Sequence, residues 1–117
     1  MTLLNYFKTH EYYDIVKIIE YLEQKEEITE EHIKNIKQWN VDIVKILKKY
    51  GYMFNNEELM MILEKELTDS TCYYILTTHK QTDKICKMCV KYDASLIKYV
   101  ENQTEEICKI ALDRNIF

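Results

Sequence analysis

Thr82-Asp83-Lys84-Ile85-Cys86-Lys87 returns 22 residues later as Thr104-Glu105-Glu106-Ile107-Cys108-Lys109. A fixed period of this length marks stacked supersecondary units, each too small to bury its own apolar face, so neighbouring units must share a core. In both copies a threonine precedes an acid and, three residues on, an isoleucine. Threonine suits an N-cap and the acid suits the positive end of the helix dipole, so each copy reads as the start of a helix.

The rest of the chain carries the same helical period. Ile15, Ile18, Ile19 and Leu22 form one apolar stripe, Ile43, Ile46, Leu47 and Tyr50 a second, and Ile85, Met88, Cys89 and Tyr92 a third. Asp14-Ile15-Val16-Lys17-Ile18 also returns 28 residues on as Asp42-Ile43-Val44-Lys45-Ile46, although these N-terminal copies are irregular. Thr29 with Glu30 and Glu31, and Asn55 with Glu58, are helix starts; Gly51 after Lys48-Lys49-Tyr50 stands where a left-handed C′ residue is expected. Only Cys72–Thr78 has a composition suited to a strand, and it too is assigned to a helix. Helices are predicted over 2–8, 11–26, 30–38, 41–50, 56–66, 70–79, 83–92, 94–101 and 105–114. The expected fold is all-α, a solenoid-like array of short antiparallel helix pairs forming one domain over 1–117, with irregular pairs in 1–80 and regular repeats in 82–117.

A chain of 117 residues can bury roughly two-thirds of its unfolded surface without disulfides or metal. The absence of proline and the single glycine permit long helical coverage. A net charge of −4, with only one arginine among 16 basic residues, opposes phosphate binding and disfavours a nucleic-acid partner. No apolar run reaches the 18 residues of a membrane span, and Met1-Thr2-Leu3-Leu4-Asn5 lacks a secretory pattern, so an intracellular protein with reduced thiols is expected.

The segment from Ile85-Cys86 through Leu96-Ile97-Lys98-Tyr99-Val100 and Asn102-Gln103-Thr104 to Ile107-Cys108 resembles an uncharacterised helical repeat common in giant-virus proteins. In that family an Ile-Cys helix leads through a short turn to a Leu-x-Tyr-Val helix, then to Asn-Gln-Thr and the next Ile-Cys. The resemblance covers 82–117 and implies a viral setting, in host cytoplasm or virion, without a known activity. The family's Asn-Gly turn is replaced here by Tyr92-Asp93, which puts the local turn geometry in question. Val41–Gly51 also resembles the second helix of an ankyrin repeat, but its spacing of 28 falls short of about 33 and the Thr-Pro-Leu-His signature is missing.

Cys86-x-x-Cys89 is the most chemically suggestive motif, because two thiols one turn apart could share zinc or undergo exchange. Its repeat partners argue for packing instead: Cys86 matches Cys108, but Cys89 matches Ala111, a small apolar residue. Cys72, His79 and Cys108 could complete a four-ligand site but lack motif spacing. His10, His32 and His79 are scattered, Ser70 and Ser95 lie in no nucleophile motif, and no glycine-rich loop exists. Lys34, Lys37, Lys45, Lys48 and Lys49 around Trp39 could touch a nucleobase, although such runs are usually solvated faces.

Ten tyrosines exceed the need of a small core, and Tyr50, Tyr52, Tyr73 and Tyr74 are the predicted partner-binding residues. The last copy stops at Asn115-Ile116-Phe117, so self-association through the C-terminal helix, using Ile116 and Phe117, is expected to give a homodimer. The function expected is a noncatalytic protein–protein interaction module without cofactor. A thiol-based metal or redox module centred on Cys86 and Cys89 is the alternative.

Overall fold

Helix starts in this chain are set by side chains. In a computed structural model describing residues 2–114, Thr2, Asp14, Asn40, Asn55, Thr68, Thr82 and Thr104 each accept a backbone N–H from the first turn that follows. The resulting helices are α1 (Leu3–Thr9), α2 (Ile15–Glu23), α3 (Glu30–Asn35), α4 (Val41–Lys49), α5 (Asn56–Lys65), α6 (Asp69–Thr78), α7 (Asp83–Tyr92), the 3₁₀ helix η1 (Ala94–Tyr99) and α8 (Glu105–Arg114). No strand occurs among the described residues, so the protein is all-α. The chain packs as two compact units, Met1–Phe54 and Asn55–Phe117.

In the N-terminal unit, α2 is shorter than its periodicity predicts. Residues 11–13 are drawn out of the helix by tertiary bonds: the Tyr13 hydroxyl donates to Phe7 O at 3.2 Å and accepts Lys37 N–H at 2.9 Å, while Tyr6 Oη accepts Asp14 N–H at 2.8 Å. Past Glu23 the chain turns through Lys25 at φ 62°, a left-handed conformation incompatible with further helix. Gly51, at φ 104°, closes α4 as expected: its N–H donates to Lys48 O and that of Tyr52 to Leu47 O, the paired bonds of a Schellman motif.

Glu26 ties this unit together. Its carboxylate accepts Leu3 N–H at 2.9 and 3.1 Å and lies 3.2 Å from Nε2 of the buried His32. Thr29 N–H donates to His32 Nδ1 at 3.0 Å, which leaves the ring proton on Nε2, facing the carboxylate. One acidic side chain thus satisfies the starts of α1 and, through the imidazole, of α3.

In the C-terminal unit the two sequence copies have like surroundings where they begin. Ile85 N–H donates to Thr82 Oγ1 at 3.3 Å and Ile107 N–H to Thr104 Oγ1 at 3.2 Å, and each isoleucine is 1 % exposed. The glutamine before each cap donates to carbonyls at helix ends. Gln81 Nε2 donates to Leu76 O at 3.0 Å and Tyr99 O at 2.6 Å, its Oε1 accepts Glu101 N–H at 2.9 Å, and Gln103 Nε2 donates to Ile97 O at 3.0 Å. Predicted helix 94–101 is instead a 3₁₀ turn, nucleated by Asp93, whose carboxylate takes both the backbone N–H and the hydroxyl of Ser95.

Two substitutions test these ties. Glu26→Ala strands Leu3 N–H and His32 and should destabilise the protein by about 1–3 kcal/mol in urea unfolding, with far-UV ellipticity retained. Gln81→Ala opens several bonds at once and should cost a similar ~1–3 kcal/mol, whereas Gln103→Ala removes one exposed bond and should stay within about 1 kcal/mol.

Candidate functional site

The repeat equivalence breaks most sharply at one place, and the break makes a surface. Cys89 and Ala111 are both buried, as the 22-residue register requires, but Val90 is 0 % exposed while its counterpart Leu112 is 74 % exposed. Val90 lies on α7, which packs against α5, α6, η1 and α8; Leu112 lies on α8, whose packing partners are α7 and η1. Beside Leu112 runs an open groove of about 620 Å³, walled by Tyr92, Ala94, Ile97, Ala111 and Leu112. A second groove of about 650 Å³, mostly apolar, is lined by Leu67, Met88, Tyr92 and Ile110. Tyr92 and Arg114 border both, so the two form one surface around α8.

Its charge differs from that of the chain as a whole. Lys87, Lys91 and Arg114 border the second groove, whereas the protein carries −4. Lys87 Nζ bridges Asp83 at 2.7 Å and Glu106, in the first turn of α8, at 2.8 Å, and these two carboxylates hold its ammonium above the usual lysine range. The acid at the start of one helix is therefore matched to a lysine on its neighbour.

Of the exposed large apolar side chains in the C-terminal unit, Leu67, Tyr92 and Leu112 line this surface. The predicted tyrosines lie elsewhere. Tyr50 and Tyr52 belong to the N-terminal unit, with Tyr52 packed edge-on against Phe54. Tyr73 is half-exposed and packs edge-on against Tyr99, and Tyr74 packs edge-on against His79. Ile116 and Phe117 lie outside the described residues.

The thiols divide differently from the motif. Cys86, buried, donates to Gln81 Oε1 at 3.4 Å, and burial, reinforced by Asp83 and Glu101, pushes it up. Cys89, on the same helix and fully buried, is held above the usual thiol range by the neighbouring Cys72 thiol and by burial. Among the described residues no three His, Cys, Asp or Glu side chains converge to hold a metal ion. Trp39, the aromatic of the lysine cluster, is buried edge-on against Phe54, with Nε1 lacking a hydrogen-bond partner, so its ring offers no stacking face.

Thr29, His32 and Glu26 stand in the hydroxyl–imidazole–carboxylate order of an acyl-transfer triad, with Thr29 Oγ1 3.0 Å from His32 Nδ1. Nδ1 is, however, taken by the Thr29 N–H, the carboxylate by Leu3 N–H, and the ring is only 5 % exposed. These three residues hold helices rather than present a reacting face.

Asp93, at the wall of the first groove, is held below the usual carboxylate range by Ser95, while Asp69 is pushed up by its hydrogen bond to Asp93. A raised acid penalises folding where it is ionised, so Asp69→Asn should raise the thermal midpoint near pH 7. That gain should shrink as pH falls and vanish below about 3.8, where the wild-type carboxyl is protonated folded or unfolded. No protein-family model, curated protein or solved structure matches the chain.

Proposed function

We propose that the chain is a noncatalytic protein-interaction module, the regular end of a solenoid-like helical array, that assembles through the outer face of α8. The observation that carries this reading is the exposure of Leu112 beside grooves walled by Tyr92, Ile97 and Ile110. Exposed apolar surface of this kind, rimmed by charge, marks interaction sites more often than chance decoration.

The occupant is a second copy of the chain, packed with its α8 antiparallel to the first. α8 begins with Glu105 and Glu106 and ends with Arg114, so a two-fold antiparallel pairing sets the acidic turn of each helix beside the basic end of the other. Leu112 and Tyr92 of each protomer then fill the partner's grooves. Lys87 and Glu106 supply the internal precedent for an acid-led helix seated on a basic rim.

Sedimentation equilibrium of the full chain should give a concentration-dependent dimer. Leu112→Glu should weaken association at least tenfold, Arg114→Glu should weaken it less, and combining Arg114→Glu with Glu105→Lys should recover much of the loss. A monomer at every concentration, or a dimer indifferent to Leu112→Glu, would overturn the assignment.

A further inference from the structure

We infer that the outer face of α2 is a docking surface for a basic amphipathic helix of another protein, a second interaction site that lies in the N-terminal unit and does not involve α8. At about 100° per residue, Ile18 and Leu22 define the buried side of α2, and Ile15, Ile19 and Val16 follow one another outward from it. Ile15 and Ile19 are partly buried and Val16 is 60 % exposed, so the apolar arc is wider than the cover the fold provides. The internal repeat supplies a reference. Asp14-Ile15-Val16-Lys17-Ile18 returns as Asp42-Ile43-Val44-Lys45-Ile46 on α4, where Ile43 is 1 % exposed and Val44 0 %. Side chains that are enclosed on α4 are left open on α2.

Tyr12, two residues before the Asp14 cap, is 78 % exposed. The bend that carries it is pinned on both sides: the Tyr13 hydroxyl donates to Phe7 O, and Tyr6 Oη accepts Asp14 N–H. An exposed tyrosine on a pinned bend gives up little conformational freedom on binding, which suits an interface anchor.

Charge selects the partner. Residues 11–27 hold six acids against two lysines, a net −4 that equals the charge of the whole chain. Glu20 and Glu23, both exposed, lie on the same side of α2 as Val16. Lys17 reaches Glu20 at 3.7 Å, whereas Glu11 and Glu23 make no ion pair among the described residues. An apolar stripe rimmed by carboxylates repels nucleic acid and anionic lipid, and it fits a helix that carries lysine or arginine beside its leucines. The nine residues of α2 offer about 14 Å of contact, or two to three turns of the incoming helix. That the helix comes from another chain rests on the α8 dimer, which engages this chain's own basic grooves.

The test uses a fluorescein-labelled peptide of leucine and lysine in amphipathic helical order, about 14 residues long. It is titrated with the full-length protein at low salt and followed by anisotropy. Saturable binding is expected, weakened about tenfold by Val16→Ser and at least as much by Glu20→Lys combined with Glu23→Lys. Binding should persist in Leu112→Glu protein, and a scrambled peptide of the same composition should bind several-fold more weakly. All three α2 positions are exposed, so the thermal midpoint of the variants should stay near that of the wild type. An unchanged anisotropy, equal binding of the scrambled peptide, indifference to Val16→Ser or loss of binding in Leu112→Glu protein would each refute the α2 site. Weaker self-association of Val16→Ser protein in sedimentation would also refute it, because the occupant would then be a second copy of this chain.

Discussion

The architecture of the C-terminal unit rests on one short-range contact made twice: a threonine hydroxyl accepting the backbone N–H of the isoleucine three residues on. The bond fixes where a helix begins, and because the third helical residue is the one delivered, it also fixes which face enters the core. Ile85 and Ile107 are buried to the same extent as a consequence. In a chain with no proline and a single glycine there is little else to punctuate the backbone, and side-chain caps take over that work. Gln81 and Gln103 add to the device, since each sits just before a cap and donates to carbonyls at helix ends.

This division of labour explains what could be read in the sequence. Apolar stripes at helical spacing and Thr, Asn or Asp caps are local signals, and they placed all nine helices of the described residues to within a few positions. Where the expected bounds failed, a side-chain bond had intervened: the Tyr6 and Tyr13 hydroxyls hold the start of α2 out of helix, and the Asp93 carboxylate winds 94–99 into a tighter turn. The Glu26 and His32 tie was invisible for the same reason, because nothing in spacing announces that a carboxylate will take the first N–H of α1. Gln81 was within reach of a sequence signal, as the repeat extends one residue earlier than Thr82 to a glutamine in both copies.

Cysteine placement shows the limit most clearly. Sequence proximity couples Cys86 to Cys89, yet the fold hands the Cys86 thiol to Gln81 and buries Cys89 completely. The substitution of alanine for Cys89 in the second copy had already marked that position as a packing site. Burial of both Cys89 and Ala111 agrees with it, and a small buried residue that happens to be a thiol can carry chemistry only with whatever the neighbouring helix presents.

The proposed interaction surface follows from the same repeat logic applied where the repeat loses symmetry. Identical register predicts identical burial, so Leu112 ought to be as enclosed as Val90, and the contrast between 74 % and 0 % exposure measures how much cover α7 receives that α8 does not. A polar residue at 112 would have removed the cost of that exposure; leucine keeps the apolar surface available. The rim adds direction, because Lys91 and Arg114 form a basic edge on a protein of net charge −4, and a helix entering with its acidic turn first gains attraction there while the reverse orientation would meet like charge. Apolar cover and charge order therefore both favour the proposed pairing, α8 antiparallel on α8.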